Sequence, residues 1–114
     1  MVSVEVREDN AITLRDGRKL GFASYGDTGN YPVLLFHGIP GSRLQRPLDL
    51  DYLNDLSLCL YVVERPGIGM STPKPDRNLK DYTDDIQEFC RSQGFEHAAV
   101  VGISGGSPYA LALA

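Results

Sequence analysis

Short apolar runs, separated by polar stretches that contain glycine and proline, mark the predicted strands. Two strand-like runs, 11–14 and 19–25, flank an Asp-Gly pair at 16–17 that is typical of a hairpin turn. The runs 33–36 and 58–63 are apolar throughout, as expected for strands that are covered on both faces. The pattern therefore predicts a hairpin followed by two buried strands.

Helical periodicity occurs between and after these buried strands. A short helix is predicted around 50–56, and a longer one begins after Asn78, a residue type that favours helix N-caps. Gly94 can end the longer helix because glycine readily adopts positive φ. Another apolar run, 98–103, predicts a third buried strand, and a last helix is predicted over 107–114.

Strands that alternate with helices place the chain in the α/β class. Because several strands are apolar on both faces, we expect a mainly parallel sheet with helices on both faces. The predicted units are a hairpin over 11–25, a strand-helix-strand unit over 32–63, and a helix, strand and following helix over 78–114. No repeat or linker separates these units, so residues 1–114 are interpreted as one domain.

Composition narrows the class of protein. Apolar residues at 42% and charged residues at 23% are close to the average of globular domains. A net charge of −4 and the lack of a Lys/Arg run favour neither nucleic acid nor a membrane surface, so we expect a small-molecule partner. Cys59 and Cys90 lie in apolar positions typical of reduced thiols, and no stretch has membrane-spanning length. We expect a cytoplasmic protein with no metal and no cofactor.

The chain carries a G-x-S-x-G motif at 102–106, between a buried strand and a helix start. In such a turn the central residue adopts strained backbone angles, and small neighbours at Gly102 and Gly106 avoid Cβ clashes. The turn would expose the Ser104 hydroxyl at a helix N-terminus, where the Gly105 amide can donate a hydrogen bond to an oxyanion. The alternative is a glycine-rich turn in which the serine only caps a helix.

Two further motifs follow the predicted central strands. They are His-Gly-Ile-Pro-Gly-Ser over 37–42 and Arg-Pro-Gly-Ile-Gly-Met-Ser over 65–71. With the serine motif, they make nearly the whole chain resemble the α/β-hydrolase fold family, in particular its esterase, epoxide-hydrolase-like and iminopeptidase-like branches. The resemblance implies the N-terminal half of that fold, strands one to five and helices A to C. It also implies that Ser104 is the nucleophile and that the amides of Ile39 and Gly105 form the oxyanion hole.

His37 and Gly38 open the loop that the resemblance identifies as the oxyanion loop, and for the His37 side chain we favour a structural role that fixes this loop. We expect this imidazole to be a hydrogen-bonded core group rather than the catalytic base. The loop after the fourth strand is also expected to be structural, and Glu64 and Arg65 could pair to anchor it. Arg43, which follows the oxyanion loop, is expected to be a solvated or loop-bracing cation rather than a substrate clamp. A binding role for this loop, through Met70 or Ser71, is the less favoured alternative.

A serine triad also needs an imidazole base and a carboxylate that orients it. The chain has only two histidines, and His97 precedes the last predicted strand, at the opposite end from Ser104. In the family the nucleophile comes first, then the acid and then the histidine, so both partners would follow residue 114. We therefore interpret the chain as an incomplete domain, the N-terminal portion of a longer hydrolase, with at most weak turnover by itself.

Two other functions are compatible with the sequence. One is a non-catalytic binding protein or receptor that keeps the hydrolase pocket. The other is a short chain that self-associates, or assembles with a complementary chain, through the exposed edge of the last strand over 98–103, because bare apolar strand edges are sticky.

Overall fold

The computed structural model describes residues 4–46 and 49–113. This part of the chain contains five strands and three α-helices. In chain order they are β1 (Val6–Thr13), β2 (Lys19–Tyr25), β3 (Tyr31–Phe36), α1 (Asp51–Asp55), β4 (Leu58–Val63), α2 (Leu79–Gln93), β5 (Ala99–Gly102) and α3 (Ser107–Leu113). None of these helices combines the length and the apolar character that a membrane span requires.

The strands form one sheet in the order β1-β2-β4-β3-β5. β3 pairs in parallel with β4 and β5, whereas β2 pairs antiparallel with β1 and β4. The predicted α/β class is therefore confirmed, but "mainly parallel" overstates the pairing, because two of the four strand pairs are antiparallel. The difference arises because β2 returns from the hairpin and pairs with β4 in the opposite direction.

Helices cover both faces of the sheet, as predicted. On one face, α2 buries Tyr82, Ile86 and Phe89 in a core that also contains Phe22 and Tyr61. On the other face, Leu53 of α1 packs in a second core with alternate residues of the same strands, including Leu35, Leu60 and Val62. The apolar runs of β3 and β4 thus divide their side chains between two cores, which explains why they show no alternation.

Helix α2 has the ends that its sequence predicts. The Asn78 side chain accepts a hydrogen bond from the Asp81 amide at 2.9 Å, and the Asp81 carboxylate accepts one from the Asn78 amide at 3.0 Å. Gly94 follows the last turn with a φ of 77°.

Strand β1 begins at Val6, earlier than the predicted run 11–14. Among the described strands it lies at the edge of the sheet and pairs with β2 alone, and a register shift lies between Arg7 and Asn10. Its side chains alternate between exposed and half-buried positions, so polar residues are tolerated along most of its length. The first half of β1 consequently has no apolar pattern that sequence analysis could detect.

The parallel register brings the carboxyl ends of three strands together. Phe36, the last residue of β3, lies opposite Val63 at the end of β4 and opposite Gly102 at the end of β5. The loops that follow these three strands therefore emerge at the same edge of the sheet, which is where ligands bind in open α/β folds.

Candidate active site

The G-x-S-x-G motif forms an abrupt turn from β5 into α3. A single 3₁₀ turn over Ser104–Gly106 connects Gly102 and Ile103 to the first residue of the helix, Ser107. Ser104 has a φ of 47°, in the left-handed region that a residue with a side chain seldom adopts, and the residue is exposed. The turn therefore holds a hydroxyl at the surface in a conformation that costs free energy.

Two glycines allow the turn to approach its neighbours closely. A Cβ on Gly106 would lie 2.0 Å from the Phe36 carbonyl oxygen, and a Cβ on Gly102 would lie 2.6 Å from Cα of Ser107. The Ile103 amide also donates a hydrogen bond to the Phe36 oxygen at 3.1 Å. The serine turn is thereby seated directly on the end of β3, where the loop over 37–42 begins.

The loop after β3 lies beside the serine turn. A Cβ on Gly105 would be 3.0 Å from Cγ1 of Ile39, and a Cβ on Gly38 would be 3.7 Å from Cβ of Ser104. Ile39 is 77% exposed, and its amide has no acceptor among the hydrogen bonds of the described residues outside helices and strands. The Gly105 amide lies in the first turn of a helical segment, where amides lack intrahelical partners. Ile39, Gly105 and Ser104 thus share one site.

The buried His37 side chain fixes the start of this loop through hydrogen bonds. The imidazole is 1% exposed; its Nε2 accepts from the Arg65 amide at 3.3 Å, and its Nδ1 lies 3.0 Å from the Gly38 carbonyl oxygen. Since Nε2 is an acceptor, we assign the proton to Nδ1, which then donates to Gly38. Burial lowers the pKa of His37, so the ring is neutral with both nitrogens engaged. An imidazole bound in this way cannot take a proton from Ser104.

The other histidine is not near the serine turn. His97 is exposed and precedes the first residue of β5, Ala99, whereas the serine turn follows the last residue of that strand. Both histidines of the chain are therefore placed where they cannot serve Ser104 as a base.

The predicted pair between Glu64 and Arg65 is wrong. Glu64 is fully buried and receives hydrogen bonds from the Arg43 amide at 3.1 Å, the Arg43 guanidinium at 3.3 Å and the Met70 amide at 2.8 Å. Consecutive residues of an extended chain point to opposite sides, so Arg65 turns away from Glu64, toward His37. Arg43, which also contacts Asp9, is a loop-bracing cation.

Replacing Arg43 with methionine is expected to lower the free energy of unfolding by roughly 2 kcal/mol, because it leaves a fully buried carboxylate without its cation. Urea denaturation measures this loss. The matched control is Arg7→Met, which removes an exposed ion pair with Glu5 and should cost less than about 0.5 kcal/mol. Equal losses in the two variants would contradict the bracing role of Arg43.

A family model described as "alpha/beta hydrolase fold" matches residues 31–114, most of the chain. The chain belongs to the α/β-hydrolase fold family. The resemblance noted from the three motifs is thereby confirmed, and the structure is the N-terminal part of the α/β-hydrolase fold. A comparison with curated proteins gives no significant match.

Solved α/β-hydrolase structures are similar over nearly all of this chain. A predicted CIB-like hydrolase from Thermoplasma acidophilum has a TM-score of 0.81 and 18% identity, over 97% of this chain and 56% of its own. Epoxide hydrolase A from Mycobacterium thermoresistibile has a TM-score of 0.77 and 21% identity, over 92% and 34%. A candidate aryl esterase from Burkholderia cenocepacia has a TM-score of 0.73 and 26% identity, over 89% and 39%. This chain therefore spans between a third and just over half of the length of these proteins.

The α/β-hydrolase site contains two residues that sequence analysis did not single out. The Gln45 side chain accepts a hydrogen bond from the Gly38 amide at 2.6 Å, which ties the loop over 37–42 to the chain beyond it. The Tyr109 ring lies 4.9 Å from the Arg65 guanidinium carbon, a cation–π distance. Neither residue belongs to a motif, although Tyr109 could have been noticed as an aromatic residue on the half-buried side of the last helix.

Proposed function

We propose that this chain is the nucleophile-bearing part of a serine hydrolase that cleaves an ester, amide or similar bond of a small molecule. The observation that carries the proposal is the exposed Ser104, held at positive φ in a turn that contains Gly105 and adjoins Ile39. Backbone strain of this kind concentrates at functional sites, and a serine that only caps a helix has no need of it.

The proposed reaction begins when Oγ of Ser104 attacks the substrate carbonyl carbon and its proton passes to an imidazole base. The carbonyl oxygen then carries negative charge and accepts hydrogen bonds from the amides of Ile39 and Gly105. Collapse of this intermediate expels the leaving group, which takes the proton from the imidazole, and leaves an acyl group on Ser104. Water completes the cycle by releasing the acid.

The base and the acid that orients it are proposed to lie outside these 114 residues. His37 is buried and engaged at both nitrogens, and His97 lies at the far end of β5. By itself the chain is then expected to show only the small residual catalysis that an oxyanion hole and binding provide.

We also propose a cytoplasmic location, for which cell fractionation is the test.

Labelling with a fluorophosphonate probe tests the proposal. In the protein extended through the coding sequence that follows residue 114, we expect one labelled peptide, containing Ser104, and no labelling after Ser104→Ala. The extension should also supply an Asp or Glu and then a His. A folded extended protein that resists the probe, or that is labelled at another residue, would refute the proposal and favour the non-catalytic receptor.

The exposed edge of β5 favours self-association as a second property of the 114-residue chain. Within the described part of the chain β5 pairs with β3 alone, its Val101 is 43% exposed, and apolar cavities flank it on both faces of the sheet. Light scattering should show a mass that rises from monomer toward dimer with concentration. Val101→Lys should restore the monomer, whereas Val6→Lys, on the polar edge strand β1, should not. A monomer at every concentration would exclude pairing through β5.

A further inference from the structure

The buried guanidinium of Arg65 has no negatively charged partner. Arg65 is 2% exposed, and its Nη2 donates to the Gly38 carbonyl oxygen at 3.3 Å, while Nη1 has no hydrogen-bond acceptor among the described residues. The adjacent carboxylate, Glu64, pairs with Arg43 instead, and no other described carboxylate lies within ion-pair distance of Arg65. The Tyr109 ring contributes a cation–π contact at 4.9 Å, but it does not neutralise the charge. Because a buried charge is costly unless it is paired, this arrangement favours the binding of an anion.

A cavity of about 340 Å³ borders this guanidinium, and a second cation lines it. Arg77 is exposed and takes part in no hydrogen bond or ion pair among the described residues. Burial lowers the pKa of Arg65, and the positive charge of Arg77 lowers it further, so the two guanidinium groups repel one another. Arg77 also borders a neighbouring cavity, which Lys74 and Asp76 line. Among the described residues, the cavity of about 340 Å³ thus has two cations and no carboxylate in its lining.

The rest of the lining comes from the loop after β3, which contributes His37 and four residues after it, and from Ile68 of the loop after β4; its side chains other than His37 are apolar. It includes Ile39, Pro40 and Ile68. Ile39 also touches the serine turn at Gly105, so the cavity opens beside the proposed reaction centre. A charged group bound in this cavity would be separated by only a few bonds from a substrate carbonyl held at Ser104. The short hydrocarbon chain that joins the two would contact Ile39 and Ile68.

We propose that this cavity binds a carboxylate, held directly by Arg77 and attracted by the unneutralised charge of Arg65, so that the preferred substrates carry a carboxylate close to the scissile bond. A planar carboxylate matches the fork of donors that a guanidinium presents. Nη1 of Arg65 is shielded from solvent, so Arg65 attracts the carboxylate electrostatically without touching it. Arg77 donates the direct hydrogen bonds to the carboxylate. The assignment of this anion to a hydrolysed substrate rests on the proposed function, whereas its binding does not.

Titration of the ¹⁵N-labelled chain with butyrate tests the site without any turnover. At constant ionic strength, butyrate should give saturable shifts of the backbone amides of Ile39, Arg65 and Ile68, and the uncharged isostere butyramide should not. Arg77→Gln should weaken butyrate binding about tenfold, as expected for loss of a hydrogen bond between charged groups. Arg15→Gln, which removes an exposed cation outside the cavity, should leave binding unchanged.

Several outcomes would overturn this proposal. They are equal binding of butyramide, unchanged binding by Arg77→Gln, absence of saturable shifts, and tighter binding of inorganic phosphate than of butyrate. Each of these leaves fluorophosphonate labelling at Ser104 unaffected. Conversely, failure of the labelling with intact butyrate binding would reject the hydrolase and keep the anion site, so the two proposals fail separately.

Discussion

Replacement of Ser104 by alanine or by glycine should lower the turnover of the extended protein about a million-fold, to the level left by the oxyanion hole and binding alone. The two variants should nevertheless differ in stability. Ser104 has a φ of 47°, which costs a residue with a Cβ about 1 kcal/mol or more and costs glycine almost nothing. The free energy of unfolding of Ser104→Gly is therefore expected to exceed that of Ser104→Ala by about 1 kcal/mol, so the glycine variant should unfold at a higher urea concentration.

Turnover of a simple aryl ester and urea denaturation measure the two effects. The matched control is Ser107→Ala, which removes a hydroxyl three residues further on, at the start of α3, and should keep its turnover. If Ser104→Ala retained turnover, the hydrolase proposal would be wrong. If the glycine and alanine variants were equally stable, the turn would not store the strain that its backbone angle indicates.

The serine turn could be predicted because its requirements are local. Gly102, Ser104 and Gly106 are separated by one residue each, and steric crowding within a single turn determines which residue types fit there. The same holds for the capping box of Asn78 and for the glycine at 94, whose signals lie within a few residues of the structure they specify.

Contacts between distant segments could not be predicted from the pattern. Arg43 reaches Glu64 across 21 residues, because the loop after β3 folds back over the end of β4. The sequence offers a nearer partner, Arg65, and only the direction in which the chain leaves β4 excludes it. Strand order has the same origin: β4 lies between β2 and β3, although no feature of its apolar run specifies which neighbours it pairs with.

The roles of Ser104, Ile39 and Gly105 stay predictions because they depend on a group that lies elsewhere. The structure brings Ile39, Gly105 and Ser104 together, yet the proposed reaction would need an imidazole base, and neither histidine of the chain lies where it could serve Ser104. What the chain itself specifies is the close packing of the serine turn against the end of β3. Substitution of Gly106, the most crowded residue of that contact, tests it directly.

Gly106→Ala is expected to destabilise the chain by more than about 4 kcal/mol, enough to prevent folding of a domain of ordinary stability. The added Cβ would lie 2.0 Å from the Phe36 oxygen and 2.7 Å from the His37 oxygen, so the serine turn would have to lift off β3. Gly94→Ala is the matched control, since its Cβ would meet nothing within 4 Å and only the φ of 77° is unfavourable, at about 1 kcal/mol. Circular dichroism and urea denaturation compare the two variants. A Gly106→Ala protein as stable as Gly94→Ala would show that the turn is not seated on the end of β3.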